Sequence, residues 1–249
     1  MAQPHEQTAP SARTASLLLS IVAGYVDSST FLGLFGLFVA QVTGSFVAAG
    51  AQIARGEKGI LLTMIAIPIF LVAGAATTLL VEVADARRGS PLAWSLGLEG
   101  ALLTAFFLVG VTGSPFAAPD APLAVSAGLF GLSAMGVQSA LVQLLMRGTP
   151  STNVMTTNTT QIAILATRTA LGWRARRKAS NVETAAQFAS SGDRLTAVLL
   201  VSAGFLLGTI AGALAYAALG LWCLLAPMAA VLGLLIWSQQ SPTLIARDS

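Results

Sequence analysis

"GYVDSSTFLGLFGLFVAQVTGS", residues 24–45, is apolar enough for lipid, yet it holds Asp27, Gln41, Thr43, Ser45 and four glycines. Its surroundings decide how it is read. A water-soluble domain has about a quarter of its residues charged, whereas this 249-residue chain has 9% charged and 55% hydrophobic residues, with a mean hydropathy of +0.79. Apolar runs at 60–81, 98–112 and 195–237 reach the length of about 20 residues that a hydrocarbon core about 30 Å thick requires. The fold class is therefore all-α, a polytopic helical membrane bundle whose main partner is the lipid bilayer.

Outward from the opening stretch, the pattern predicts a helix over 14–35, interrupted near Gly24 and Asp27, and a more polar helix over 37–54. Apolar spans follow at 60–81, with Pro68 inside, and at 92–112. The proline-rich "GSPFAAPDAP" (113–122) separates two halves. Beyond it come a helix at 123–145, a second polar helix in "STNVMTTNTTQIAILATRTALG" (151–172), a basic and polar linker at 172–193, and apolar helices at 195–217 and 220–237. Six strongly apolar spans and two polar helices result. The expected division is a disordered cytoplasmic tail at 1–13, a first half at 14–113, a connector at 114–121, a second half at 122–238 and a tail at 239–249. Trp94, Trp173, Trp222 and Trp237 fall near predicted helix ends, where indoles suit the headgroup region.

The halves resemble each other faintly. Gly24 aligns with Gly136, and "VTGSFVAAGAQIAR" (42–55) lies over "MTTNTTQIAILATR" (155–168), matching Thr43 with Thr156, Ser45 with Asn158 and Arg55 with Arg168. "FLVAGA" at 70–75 lies over "FLLGTI" at 205–210. Duplicated halves are a common construction of secondary transporters, with the solute held where the halves meet. If all eight helices cross, the repeats are parallel; if the two polar segments are re-entrant, six cross and the repeats are inverted. Matching Arg55 and Arg168 on one side favours eight by a small margin.

Charged groups inside a span are costly, about 2.5–3.5 kcal/mol on insertion scales, and face a bundle interior or a watered cavity. Asp27 and Glu99, the latter between Gly97 and Gly100, are thus candidate proton carriers or cation ligands. Gln41, Thr43, Gly44, Ser45 and Gln52 in the first half, with Gln138, Asn153, Thr156, Thr157, Asn158 and Gln161 in the second, are candidates for lining a path. Interhelical hydrogen bonds use the same residue types. Gly204, Gly208 and Gly212 recur every fourth residue, smoothing one helix face for close packing.

One cysteine (Cys223) and one histidine (His5) leave no intramolecular disulfide and no ordinary zinc site. No cofactor and no catalytic residue is expected, since hydrolase and nucleotide-binding motifs are absent. The cluster Arg174, Arg176, Arg177 and Lys178 reads as a topology determinant or an anionic-lipid contact, not a nucleic-acid surface.

The G-Y-V-D-S and V-T-G-S elements of the opening stretch, with "AMGVQSALV" (134–142) and the Thr-rich segment, resemble the DUF1275 (YoaK-type) family of bacterial multi-pass membrane proteins over about 14–238. The likeness rests on Gly24, Asp27, Phe38, Thr43, Gly44, Gly136 and Gln138. Ser45 departs from an asparagine common in that family. The resemblance implies an inner-membrane location and no particular activity. The expected function is a transporter of a small polar solute or ion, with proton or cation coupling at Asp27. The alternative is a non-transporting scaffold or assembly partner, and a second copy of the chain is a further candidate partner.

Overall fold

The computed structural model describes residues 10–56, 59–176 and 182–240, apart from the side chains at 10–11, 174–176 and 182–189. The expected tails beyond these limits, and Arg177 and Lys178 of the basic cluster, lie outside the described residues. Eight α-helices are present among them: α1 Pro10–Gly33, α2 Val42–Arg55, α3 Ile60–Ala86, α4 Pro91–Gly113, α5 Pro122–Leu145, α6 Met155–Arg176, α7 Val182–Leu219 and α8 Leu225–Gln240. A 3-10 turn, Gly220–Leu224, joins the last two. Local chemistry sets several ends. Proline opens α4 and α5, where its missing N–H costs nothing. Ser90 Oγ accepts from Ala93 N at 3.3 Å. Gly56 closes α2 in the left-handed conformation.

Among the described residues, five stretches are long and apolar enough to cross a membrane: 12–33, 60–86, 91–113, 122–145 and 190–240. The last contains both α7 and α8. Helix α2, with 14 residues, is about 21 Å long and falls short of a hydrocarbon core.

Close contacts give the directions. The starts of α1 and α4 meet the ends of α5 and α8 around Ala15, Leu96, Met146 and Trp237, while Leu221 packs at Gly33 and Gly110, the far ends of α1 and α4. Helices α4 and α5 are antiparallel, Gly113 meeting Leu123 and Gly131 meeting Phe106. Helices α1 and α7 run parallel and nearly touch backbones: Gly204 abuts Leu17, Gly208 the Ile21 carbonyl and Gly212 the Tyr25 carbonyl, in steps of four residues. Helices α3 and α5 are likewise parallel, with Gly128 on Leu62 and Gly136 on Phe70 and Ala73. Thus α1, α4 and α7 run one way and α3, α5 and α8 the other.

This geometry corrects the small preference for eight crossings. Six helices traverse the bundle, while α2 and α6 each start inside it and lean on α3 and α7, respectively, rather than on each other. Helix α1 is also unbroken through Gly24 and Asp27. Gly24 serves close approach instead: a Cβ there would collide with the Phe205 carbonyl of α7. The chain breaks later, at 34–41, where Phe35 and Gly36 have φ of 55° and 84°. The expected linker at 172–193 is largely taken up by the end of α6 and the start of α7.

Candidate functional site

The chain leaves α1 at Gly33 and folds back alongside it, and Asp27 is the reason it can. Burial leaves Asp27 4% exposed, and its Oδ1 accepts from the backbone N–H groups of Val39 and Ala40, both at 2.8 Å, and more weakly from Gln41 at 3.4 Å. These donors lie just before the first turn of α2, whose partial positive charge also favours a carboxylate. Ser45 Oγ donates to the Phe38 carbonyl at 3.2 Å, and the rings of Phe31 and Phe38 pack 4.8 Å apart. Gly44 leaves room for the Phe38 ring. The result is a re-entrant tip at residues 38–41 from which α2 climbs back to the start of α3.

A second tip comes from the other half. After α5, residues 146–154 turn into the bundle before α6 begins. Asn153 Nδ2 donates to the Ala40 carbonyl at 3.2 Å, so the tips touch through a side chain of one and the backbone of the other. Ser151 Oγ donates to Asn153 Oδ1 at 3.1 Å, and Asn158 Nδ2 donates to the Ser151 carbonyl at 2.8 Å. Gln138 Nε2 donates to the Leu19 carbonyl at 2.9 Å and reaches Thr152 Oγ1 at 3.5 Å. Ser20 Oγ donates to the Val201 carbonyl at 2.6 Å and lies 3.4 Å from the Thr152 carbonyl.

Asp27, Gln41, Gln138, Asn153 and Asn158 therefore gather at or beside the paired tips. Gly44 and Ser45 sit beside the first tip, against Phe38, and the other candidates lie elsewhere. Gln52 accepts from Thr63 Oγ1 at 3.0 Å, between α2 and α3, and Gln161 is half-buried along α6. Thr43, Thr156 and Thr157 point outward and are exposed. Glu99 is fully buried on α4. A pocket of about 260 Å³ opens beside the first tip, between α1 and α7, with Asp27, Gln41, Phe38, Phe205 and Thr209 on its wall. Ser20, Thr152 and Thr209 were not among the sequence candidates. Ser20 had a signal, lying seven residues, or two turns, before Asp27 on one face. Thr152 and Thr209 had none beyond their residue type.

Six apolar traverses and two polar segments that turn into the bundle, among the described residues, make this a multi-pass membrane protein. The family model of DUF1275, described as a protein of unknown function, matches residues 15–237, and the chain belongs to that family. No curated protein and no solved structure matches it.

Proposed function

We propose that the protein transports a small polar solute across a bacterial inner membrane, and that it is built from two inverted halves. The carrying observation is the meeting of the two re-entrant tips inside the bundle, Asn153 on Ala40 with Asp27 beneath. Interrupted segments that meet near the midplane are where inverted-repeat transporters hold their solutes, because backbone groups freed from helix bonding become available there.

The sequence match supports the duplication. It pairs Val42 with Met155, the first residues of α2 and α6. It also pairs Gly24 with Gly136 and Phe70 with Phe205. Gly24 faces the Phe205 carbonyl, and a Cβ on Gly136 would lie 3.2 Å from the Phe70 carbonyl. Exchanging the halves thus turns one contact into the other, and turns the α1–α7 pair into the α5–α3 pair.

Asp27 here is the post that holds the first tip, rather than the coupling group its position in the sequence suggests. The solute space is the pocket at Asp27, Gln41 and Thr209, which lies between an element of each half. Orientation follows from charge. Arg13, Arg87, Arg88, Arg147 and Arg194 lie at the end of the bundle carrying the start of α1, and Arg55 lies at the other, so the first end is cytoplasmic under the positive-inside rule.

Flux into proteoliposomes tests this, using pools of labelled amino acids, sugars and amines under imposed proton and sodium gradients. Transport of one pool should fall at least tenfold in Asn153→Leu with the fold retained. If wild-type protein moves none of them, and instead purifies with a stoichiometric partner, the scaffold reading replaces this one.

A further inference from the structure

We propose that Glu99 and Gln138 form a proton-binding site at the α4–α5 seam, separate from the paired tips and independent of whether a solute crosses. Glu99 is 0% exposed, and neither of its carboxyl oxygens has a hydrogen-bond partner. On the facing helix, Gln138 is 1% exposed, and its Oε1 is also without a partner. Ser95 Oγ, one turn before Glu99, is a fourth buried and unpartnered oxygen. Orphaned buried polar atoms are rare in folded proteins, and several together point to something they receive.

The register brings the two side chains to one level. Phe106 of α4 meets Gly131 of α5 in an antiparallel contact. Glu99 lies seven residues before Phe106 and Gln138 seven after Gly131, and seven residues are about two turns on one helix face. Gln138 cannot turn its oxygen elsewhere freely, because its Nε2 is held by the Leu19 carbonyl at 2.9 Å.

Charge decides what is received. Helix α4 carries no charged residue besides Glu99, and α5 and α8 carry none. On α3, Glu82 and Asp85 stand in the last turns and are exposed. On α1, Arg13 is 3.9 Å from Asp193, Tyr25 Oη donates to the Cys223 carbonyl at 3.0 Å, and Asp27 is bound to the first tip. In the turn before α8, Cys223 points to Ser29 Oγ at 3.5 Å. Among the described residues no cation from a neighbouring element meets Glu99, and an unpaired buried carboxylate is far too costly to keep. One proton resolves this, because the neutral acid becomes a donor and Gln138 Oε1 the matching acceptor. Leu96, three residues before Glu99, and Leu19, whose carbonyl holds Gln138, help line a cavity of about 10 Å³ that is apolar and offers a hydrated ion no polar ligand.

The full chain in lipid nanodiscs, treated with a membrane-permeant carbodiimide that adds to protonated carboxylic acids, provides the test by peptide mass mapping. The expected adduct falls on Glu99, declines as pH rises, and is insensitive to sodium or potassium at constant ionic strength. Infrared spectra should show a protonated-carboxyl carbonyl band that Glu99→Gln removes and that Gln138→Leu moves to higher frequency. Absence of a Glu99 adduct at every pH, protection by either metal cation, or a band unmoved by Gln138→Leu overturns the proposal. The wild-type labelling stands whether or not the Glu99 variant folds.

Discussion

Asp27 and Glu99 are both carboxyl groups buried within transmembrane helices, and the fold treats them in opposite ways. Asp27 Oδ1 is surrounded by the backbone N–H groups of a segment that has no helix of its own to bond to. Glu99 is surrounded by intact helices whose backbone donors are already used, and it receives nothing. Burial alone therefore says little about a membrane carboxyl. What matters is whether unpaired backbone lies within reach: where it does, the charge is a structural anchor, and where it does not, the group is left to an external ligand.

Substitution can break this contrast. The largest effect is expected from Asp27→Leu, which strands at least two buried donors at about 1–3 kcal/mol each. A loss of about 3 kcal/mol or more should appear as a lower melting temperature and aggregation on size exclusion, while Asp27→Asn, which keeps an acceptor oxygen, should lose about 1 kcal/mol. Glu99→Leu should behave differently, losing about 1 kcal/mol at acid pH, where it removes the bond to Gln138 Oε1, and gaining about 1–3 kcal/mol relative to the wild type at alkaline pH, where the wild type carries an unsatisfied buried charge. Equal destabilisation by both leucine variants would erase the distinction. Asn153→Ala removes one bond between the tips, worth about 1 kcal/mol, and hydrogen exchange at residues 39–41 should accelerate without loss of helix content. Thr157→Ala, on an exposed face, should shift the melting temperature by no more than about 0.5 kcal/mol allows.

Helix positions were legible because long apolar runs have few alternatives: α4 and α5 start within one residue of the expected 92 and 123, whereas α2, expected from 37, starts at Val42 because residues 34–41 form the turn and the tip. Asp27 was legible as an outlier, but its partners were not. They are main-chain groups at 39–41, which any residue would supply, brought back by a turn at Phe35 and Gly36. The expected break at Gly24 failed for a related reason: a glycine in a membrane helix signals either a bend or a neighbour's backbone, and the neighbour, Phe205 of α7, lies far along the chain. Helical spacing alone would put Asn153, Thr157 and Gln161 on one face, yet α6 begins at Met155, so Asn153 belongs to the tip and Thr157 turns outward. Residue type marked the right segment, and only the helix start sorted its members.

The parallel seam of α1 and α7 has a consequence for how the protein is made. The first traverse enters the membrane with Gly24 bare and Ser16 and Ser20 facing its interior. The notched surface that covers it begins at Gly204, and the hydroxyl of Ser20 ends on the Val201 carbonyl. At about 5–20 residues per second, the intervening chain takes about 9–36 s to emerge from a ribosome. For that interval α1 stands in lipid without the helix it was shaped for. The first half is thus a waiting platform, and a chain truncated before α7 should be held by insertion machinery or degraded rather than persist as a smaller bundle.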